Sequence, residues 1–379
     1  MIQADMCVLG AGIVGLAHAH EARRRGLSVV VLDRDERAVG ASVRNFGHVF
    51  LGGLADGEDL ECGLRSRERW LELGRLAGLE VSEAGSLVIA RAQDELELLE
   101  GAAANPRRGA RMLTPAEAGE LAPIPTAELV GAMHSADDLR VDPRAAVAAL
   151  ARLLESDPDA RIEWGTTVHE IEPGVVHGDR FSVEAPLIVV CPGPDFRALQ
   201  PDLRAGLEAL RLCQLQMLRV AAPDNRRYRP ALVTGLSLVR YPAFAEQPGA
   251  ARLRCRLEDE CPELLESGVH LLVTQLPGGD LIIGDTHHYG ETLPPFGAER
   301  LYELLLAEAR RLLGVDALTV RERWHGIYPS IAGAGNFVIT APMPGVRVVE
   351  VISGLGMTLS FGQAPSVLDE LETSVSAAA

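Results

Sequence analysis

The sequence predicts an α/β protein with two domains, one built on a parallel sheet and the other on an antiparallel sheet. The chain has 379 residues, more than one hydrophobic core usually holds. Its first 33 residues read as strand, glycine-rich turn, helix and strand, which is the unit that builds parallel sheets. Extended patterns at 212–220, 268–275 and 280–284, with Pro-Gly-Gly between the last two, indicate antiparallel strands, and 299–313 is an amphipathic helix.

The N-terminal glycine turn predicts a dinucleotide site. It reads GAGIVG after the apolar run 6–9 and before the helical segment 16–22. The first glycine permits the tight turn, the second lets the backbone approach a pyrophosphate, and the third lets the helix pack on the strand. The N–H groups and the positive dipole end at the start of the helix then face the anion. A plain structural turn is the alternative. The cofactor contacts predicted here are Gly10, Gly12, Ile13, Val14 and Gly15.

The end of the second strand bears on which dinucleotide binds. Asp33 lies 18 residues after Gly15, where a carboxylate can accept hydrogen bonds from the adenosine ribose. An acid at this point fits NAD or FAD and disfavours NADP, whose 2′-phosphate it would repel. Arg34 follows directly and leaves NADP open. The position of the motif at the start of the chain is typical of many flavoproteins.

Four later stretches resemble the motifs of one flavoprotein superfamily. They read GASVRNFGH over 40–48, DLRVDP over 138–143, LIVVCPG over 187–193 and SGLGMTL over 353–359. In wording, order and spacing they resemble the D-amino-acid oxidase superfamily, which includes glycine oxidase and monomeric sarcosine oxidase. The resemblance spans essentially the whole chain. It implies a Rossmann-like FAD-binding domain formed by 1–80, 136–205 and 325–379, interleaved with an antiparallel-sheet substrate domain formed by 81–135 and 206–324.

One branch of that superfamily is more similar still. Three sequence motifs resemble those of FAD-dependent oxidoreductases associated with phosphonate catabolism: ASVRNFG at 41–47, GDTHHYG at 284–290 and RWHGIY at 323–328. This implies oxidation of 2-aminoethylphosphonate or its N-methyl derivative by hydride transfer to flavin N5, followed by hydrolysis of the imine, with O2 or another electron acceptor. Alternatives are a D-amino acid, glycine or sarcosine oxidase, a dehydrogenase of a D-amino acid or proline-like substrate that passes electrons to a quinone, and a noncatalytic or tRNA-modifying flavoprotein.

The resemblance also carries FAD contacts onto particular residues. Ser42 and Arg44 would meet pyrophosphate or ribityl oxygens, and the last helix would direct its first N–H groups at flavin O2. The alternatives are that Arg44 pairs with a surface acid and that the late glycines form a structural turn. The remaining contacts that the resemblance implies are Asn45, Phe46, Gly47, His48, Val168, Gly193, Gly354, Gly356, Met357 and Thr358.

Histidines and tyrosines near these motifs are the candidates for catalysis. His287, His288 and Tyr289 follow one another, so only alternate members can face the ligand. We therefore expect one histidine together with Tyr289 or Tyr328. His48 could share a proton beside the flavin, or it could be a structural histidine near the domain interface.

An anionic substrate needs cations or neutral donors. Arg240, in the strand-like segment 237–241, and Arg323 are the predicted anchors, and each could instead be a solvated surface arginine. Further predicted substrate contacts are Gln216, with Gln214 two residues earlier, and Met357 and Thr358. No metal site is predicted, because the one close histidine pair, His287 and His288, would point to opposite faces of a strand.

Composition narrows the chemistry. The 36 basic residues are all arginine, against 53 acids, which gives a net charge of −17. The absence of lysine excludes a pyridoxal Schiff base and a P-loop lysine, and the acidic balance argues against nucleic-acid partners. The absence of lysine also means that the lysines which sarcosine oxidase uses at its substrate and flavin have no counterpart here. The position of the cysteine that links FAD in that enzyme falls near Gly326, so noncovalent FAD is expected. With no apolar run of about 20 residues and no basic leader, we expect a cytoplasmic protein without a membrane span. The tail 374–379 is predicted to fray.

Overall fold

The computed structural model of the chain describes residues 1–376, so the last three residues of the predicted frayed tail lie outside the described part. Ser374–Ser376 continue the last helix. The helices are α1 (Ile13–Arg24), α2 (Glu58–Ala77), α3 (Gln93–Ala103), α4 (Pro115–Leu121), α5 (Pro143–Glu155), α6 (Pro242–Ala245), α7 (Ala250–Glu260), α8 (Pro262–Glu266), α9 (Glu299–Leu313) and α10 (Gly356–Ser376). The strands are β1 (Ile2–Gln3), β2 (Met6–Leu9), β3 (Val29–Leu32), β4 (His48–Val49), β5 (Ser86–Ala90), β6 (Ala110–Leu113), β7 (Gly131–Ser135), β8 (Leu139–Arg140), β9 (Ala160–Glu163), β10 (Val168–Glu172), β11 (Val175–Gly178), β12 (Ser182–Glu184), β13 (Leu187–Val190), β14 (Arg211–Val220), β15 (Ala231–Val233), β16 (Leu272–Gln275), β17 (Leu281–Gly284), β18 (His288–Gly290), β19 (Val320–Ser330), β20 (Phe337–Thr340) and β21 (Val346–Val351).

The first sheet carries the N-terminal glycine turn. Its six strands run in the order β20-β21-β13-β2-β3-β9, and all are parallel except the edge strand β20. The central strands are apolar and buried on both faces, as parallel strands covered on two sides must be. One face packs on α1, α2, α5 and α10, and the other on the small antiparallel sheet β10–β12. The predicted α/β dinucleotide-binding fold is confirmed.

The second sheet contains nine strands, in the order β18-β14-β17-β16-β15-β5-β7-β6, with β19 paired to β14. Its pairs are antiparallel, apart from β5 and β15, which run parallel. The Pro-Gly-Gly turn joins β16 to β17, as the sequence predicts. Helix α9 packs on this sheet and has the predicted bounds.

The long pair β14–β19 divides the second sheet into two surfaces. Residues opposite one another in the register share a face, so Met217 and Trp324 lie on one face while Gln216 and His325 lie on the other. The first face packs on Ala41 and Phe46, which belong to the 40–48 segment. We call it the inner face, and the opposite one the outer face.

The division of the chain into two domains remains a proposal, with one revision. Strand β19 runs unbroken across the predicted boundary at 324/325 and pairs with β14 along its length. We therefore place that boundary after Ser330. In a separate finding, none of the helices within residues 1–376 combines the length and the apolar character that crossing a membrane requires.

Candidate functional site

The N-terminal turn is closed so tightly that its glycines have no room for side chains. Gly10 has φ +98°, and a Cβ there would lie 2.5 Å from the Cys191 oxygen. A Cβ on Gly15 would lie 1.8 Å from the Gly10 oxygen, so helix α1 packs directly against the end of β2. These are the roles predicted for the first and third glycines.

The N-terminus of α1 is open to an anion. Its N-cap residue is Gly12, and the first turn of Ile13–Arg24 carries no acidic side chain, so the helix itself does not neutralise its positive end. Ser42 reaches this end, because its Oγ accepts a hydrogen bond from the Ile13 N–H at 2.9 Å. A Cβ on Gly12 would come within 3.0 Å of the same oxygen.

The end of β3 holds Asp33 in a fixed orientation. Its carboxylate accepts hydrogen bonds from the N–H groups of Ala11, at 2.7 Å, and Asp35, at 2.9 Å. Burial raises the pKa of this carboxyl above its ordinary value. The backbone oxygen of Asp33 accepts a hydrogen bond from Thr166 N–H at 2.9 Å, and this bond brings the segment before Val168 to the same end of the sheet.

Arg34 lies beside Asp33 and is engaged elsewhere. It is exposed, and its guanidinium pairs with Asp195 at 2.6 Å. Asp195 belongs to the turn that begins at Gly193 after β13, so this ion pair connects two of the predicted cofactor segments. The charge of Arg34 is thereby balanced by a carboxylate of the same chain.

The 40–48 loop is braced by its own amide side chain. Asn45 donates to the oxygens of Ala41 and Ser42 and accepts from Gly47 N–H at 2.7 Å. Gly47 has φ +66°, and a Cβ there would lie 1.9 Å from the Val141 oxygen. The segment DLRVDP therefore holds this loop in place, and only glycine fits at the point of contact.

Arg44 and Phe46 fasten the loop to the second sheet. The Arg44 side chain donates to the His325 oxygen at 3.4 Å, and its own oxygen accepts from Trp324 Nε1 at 3.1 Å. Phe46 packs on the inner face, and its oxygen accepts from Thr274 Oγ1 at 2.9 Å. Within residues 1–376 Arg44 has no carboxylate partner, so the alternative of a surface ion pair is not what the structure contains.

The start of α10 converges on the start of α1. A Cβ on Gly356 would lie 3.5 Å from Ile13 Cγ2, and Gly354 has φ +77° with the Tyr328 ring 3.2 Å from its Cβ position. Thr358 is buried, and its Oγ1 accepts from Phe50 N–H at 3.1 Å. Met357 is also buried, and its oxygen accepts from Trp70 Nε1 at 2.7 Å.

These segments fit a dinucleotide such as FAD. Two helix N-termini converge on one space, a carboxylate is fixed at the end of β3, and the tight glycines allow close backbone approach. An extended anion with a ribose at one end and a ring at the other matches that arrangement of donors. The structure brings together the predicted contacts at the starts of α1 and α10, at the end of β3 and in the 40–48 loop.

A half-buried arginine lies where the inner face meets the turn before α10. Arg240 donates to the Tyr328 hydroxyl at 2.9 Å, to the Tyr289 hydroxyl at 3.2 Å and to the Ser353 oxygen at 3.4 Å. Tyr289 and Tyr328 both lie opposite Cys213 in the register and so share the inner face. The structure thus brings together the predicted anchor and both predicted tyrosines, which we call the Arg240 cluster.

The segment of Arg240 is a turn, and the predicted strand at 237–241 is wrong. Gly235–Val239 form a 3-10 helix in which Ser237 N–H bonds to the Thr234 oxygen and Arg240 N–H to the Ser237 oxygen. All apolar residues of this turn are buried, and a short apolar run that is buried all round has no period that distinguishes strand from helix.

The three consecutive candidates at 287–289 separate as alternation requires. His287 and Tyr289 lie on the same side, with ring centroids 6.2 Å apart. His288 pairs with Gln214 on the outer side and is exposed. The Nδ1 atom of His287 is 2.9 Å from the Gly268 oxygen, and burial lowers the pKa of this histidine well below its ordinary value.

His48 is a neutral, buried side chain. Its Nε2 lies 2.6 Å from Ser86 Oγ and its ring stacks on Phe50 at 4.7 Å. Burial, with Arg140 nearby, lowers the pKa of His48 to about 3. Phe50 in turn packs edge-on against Tyr241, the neighbour of Arg240, so His48 is separated from the Arg240 cluster by these rings. Its catalytic role stays a prediction.

Gln216 and Arg323 are not brought to the Arg240 cluster. Both lie on the outer face, where Thr286 donates to the Gln216 oxygen. Arg323 pairs with Glu299 of α9 at 2.8 Å and lies over the Tyr302 ring. Their roles in substrate binding stay predictions that these contacts do not favour.

One charged residue near the Arg240 cluster was not singled out from the sequence. Asp285 follows β17 and is 6% exposed, and its Oδ1 has no hydrogen-bond partner within residues 1–376. Burial raises the pKa of this carboxyl to about 7, while the Arg240 charge acts in the opposite direction. Its presence in GDTHHYG was the available signal, but aspartate is common before exposed turns, and burial cannot be read from one residue.

A family model described as "DAO: FAD dependent oxidoreductase" matches residues 5–364. No curated protein sequence matches the chain.

Solved structures of similar fold cover nearly the whole chain. Glycine oxidase from Geobacillus kaustophilus is 21% identical, with a TM-score of 0.76 over 99% of this chain and 96% of that one. L-proline dehydrogenase from P. horikoshii is 17% identical, with a TM-score of 0.80 over 98% and 94%. The FAD-bound L-alpha-glycerophosphate oxidase from Mycoplasma pneumoniae is 16% identical, with a TM-score of 0.71 over 97% and 95%. At these identities the likeness establishes the fold.

Proposed function

The chain belongs to the DAO family of FAD-dependent oxidoreductases, and from that premise we propose that it oxidises a small amine carrying an anionic group. The first candidates are 2-aminoethylphosphonate and its N-methyl derivative. The observation that carries the proposal is the half-buried Arg240 guanidinium, which lies beside the start of α10 and is held by two tyrosine hydroxyls. We also propose that FAD is bound noncovalently, since Gly326 stands where the resemblance places a linking cysteine.

The Arg240 cluster is suited to bind an anion. Arginine presents a planar fork of donors, and its charge strengthens each hydrogen bond to an oxyanion. Each tyrosine hydroxyl accepts from Arg240 and keeps its own proton, so Tyr289 and Tyr328 can donate to the same anion. Three donor groups that lie next to one another would suit the three oxygens of a phosphonate as well as the two of a carboxylate.

The chain's own residues would orient the substrate and exclude water. The chemistry that FAD supplies when bound is acceptance of a hydride from the carbon beside the substrate nitrogen. The inner face next to the Arg240 cluster is apolar, which keeps bulk water from that carbon and strengthens the hydrogen bonds to the anion. The apolar residues of this wall are Leu215, Met217 and Ile282.

A second candidate is oxidation of an amino acid. Glycine oxidase and L-proline dehydrogenase share the fold at full length, and a carboxylate fits the same arginine and tyrosines. The sequence resemblance at 284–290 and 323–328 supports the phosphonate. The two candidate substrates differ in their anionic group, which is a phosphonate or a carboxylate, and both carry an amine.

The test is anaerobic mixing of the purified yellow protein with 2-aminoethylphosphonate, its N-methyl derivative, glycine, sarcosine, D-alanine and L-proline. Loss of the oxidised flavin absorbance marks each compound that is oxidised. We expect the phosphonates to bleach the flavin fastest. Bleaching by the amino acids alone would reject the phosphonate, and bleaching by none of the six would reject the amine proposal. Reoxidation by air against a quinone then identifies the electron acceptor.

A further inference from the structure

We propose that Asp285 binds the ammonium group of the substrate and takes its proton, and that this carboxylate makes the site selective for amines over the corresponding hydroxy acids. In this step an N–H bond of the ammonium breaks, an O–H bond to the carboxylate forms, and the amine is left neutral with its electron pair free. The inference rests on the proposed function and adds to it the group that recognises nitrogen.

The backbone of Asp285 is fixed, and its carboxylate has spare hydrogen-bonding capacity. The backbone N–H donates to the His270 oxygen at 2.9 Å, and the backbone oxygen accepts from His270 N–H at 2.9 Å. The Oδ1 atom is buried and without a partner in the described part of the chain. A buried carboxylate oxygen without a donor is costly, which indicates that a ligand supplies one.

The titratable groups that interact electrostatically with Asp285 come from several elements, and one of them is a cation. They are Arg240 and Tyr241 from the turn before α6, Cys213 from β14, and His287, whose Nδ1 is 3.9 Å from Asp285 Oδ1. Burial raises the pKa of Tyr241 to about 12 and that of Cys213 to about 11, and it lowers the pKa of His287 well below its ordinary value. At neutral pH these three are uncharged.

The site therefore contains one half-buried positive group, Arg240, and one buried negative group, Asp285. A zwitterion, with its anion on Arg240 and its ammonium on Asp285, satisfies both. A hydroxy acid of the same shape satisfies Arg240, but it offers Asp285 only a neutral hydroxyl donor in place of an ammonium group. Two negative charges would then share the site with one positive charge, and the charge-assisted hydrogen bond to the nitrogen would be lost, so we expect the hydroxy acid to bind more weakly.

The titration of Asp285 suits the transfer. Because burial raises its pKa to about 7, the carboxylate is ionised in much of the protein at neutral pH and can still hold a proton once it receives one. An exposed aspartate, with a pKa of about 3.9, would be far too weak a base for an ammonium group.

The first test uses the wild-type holoenzyme and acetate, which is not an amine and cannot be oxidised here. Acetate stays ionised from pH 5.5 to 8.5, so a change in its binding reports the protein. Protonation of Asp285 removes a negative charge beside Arg240, and we expect acetate to bind about tenfold more tightly at pH 5.5 than at pH 8.5, measured by calorimetry. Constant affinity over this range would overturn the proposal without any mutation.

The second test compares α-aminoisobutyrate with trimethylacetate, which has a methyl group in place of the ammonium. Neither has a hydrogen on the carbon beside the carboxylate, so neither can be oxidised there. We expect the holoenzyme at pH 8 to prefer α-aminoisobutyrate by at least about tenfold, and the preference to vanish in Asp285→Asn. The matched control is Asp280→Asn, at the opposite end of β17, where the carboxylate pairs with Arg219 at the surface. That variant should keep the wild-type preference.

The outcomes separate this inference from the proposed function. An unchanged preference in Asp285→Asn that still binds acetate rejects the role of Asp285 and leaves the anion site standing. Failure of the wild type to bind either carboxylate, together with failure of the six amines to bleach the flavin, rejects the proposed function itself. If Asp285→Asn does not fold, the pH dependence of acetate binding in the wild type decides.

Discussion

The two faces of the β14–β19 pair have different chemistry. Next to the Arg240 cluster the inner face is mostly apolar, and there the hydroxyls of Tyr289 and Tyr328 both accept hydrogen bonds from Arg240. The outer face carries the glutamines and Arg323, and each of these already has a partner. Residues that alternate along one strand therefore differ in whether their hydrogen-bonding capacity is free for a ligand.

This difference shows that side-chain type is a poor guide to a binding site and that direction decides. Gln216 and Arg323 have the donors an anion needs, but the register turns both away from the 40–48 loop. Arg240 comes from a turn outside this pair of strands and supplies the cation that the inner face lacks. The following predictions test whether this division between the faces holds.

The largest effect is expected from removing the arginine beside the inner face. Arg240→Met removes the positive charge that would bind the anion and the donor to two tyrosine hydroxyls. We therefore expect kcat/KM for the amine that reduces the flavin fastest to fall by at least about 100-fold. Arg323→Met removes the same charge from the outer face and should change kcat/KM less than about twofold. Steady-state kinetics with both variants measures this contrast.

Equal losses in the two arginine variants would contradict the assignment of the site to the inner face. Flavin content, read from the visible spectrum of each purified variant, controls for loss of cofactor. Calorimetry with acetate gives a second readout, because Arg240→Met should lose acetate binding and Arg323→Met should keep it.

A smaller effect is expected from the tyrosine hydroxyls. Tyr328→Phe removes one neutral donor to the anion and one acceptor of Arg240, and a hydrogen bond of this kind contributes about 1 kcal/mol, or roughly a fivefold loss of kcat/KM. Tyr302→Phe is the matched control, because Tyr302 lies under Arg323. That variant should keep the wild-type value. A loss in the Tyr302 variant as large as that in Tyr328→Phe would mean that the outer face also contributes to binding.

The N-terminal glycine turn was readable from the sequence because its determinants are local. Gly10 and Gly15 lie within one turn of chain, and the contacts that leave no room for their side chains are with Cys191 at the end of an adjacent strand and with the same turn. The spacing of these glycines therefore predicts the local structure without any information about the rest of the fold. The α/β class and the helix at 299–313 follow from equally local patterns.

The substrate half was only partly readable because its members come from separate segments. Tyr289 and Tyr328 meet through the register of β14 with β18 and β19, and Arg240 reaches them from a separate turn. No sequence period encodes these pairings. The alternation rule separated His288 from Tyr289 correctly, whereas nothing in the sequence told which face of β14 would meet the 40–48 loop. Gln216 was chosen for its chemistry and lies on the other face.

Changes on the outer face should affect stability and leave catalysis unaltered. Gln216→Leu removes the acceptor of the buried Thr286 hydroxyl, and a buried group left unsatisfied costs about 1–3 kcal/mol in the free energy of unfolding. We expect kcat/KM to stay within about twofold. Denaturant unfolding and steady-state kinetics give the two readouts, with Gln214→Leu, which loses a bond to the Pro294 oxygen, as the companion variant. A large rise in KM in the Gln216 variant would show that its side chain reaches the substrate.

The smallest effect is expected at the exposed neighbour of two inner residues. His288 lies between His287 and Tyr289 but points to the outer side and is exposed, so His288→Gln should change neither kcat/KM nor its pH profile, and the free energy of unfolding should move by less than about 0.5 kcal/mol. His287→Gln provides the contrast, because its ring is buried, bonds to the Gly268 oxygen and packs edge-on against His270 at 4.8 Å, so this change should destabilise the protein. A loss of activity confined to the His288 variant would mean that the His288 side chain faces the substrate when the amine binds. The assignment of substrate binding to the inner face alone would then be wrong for this strand end.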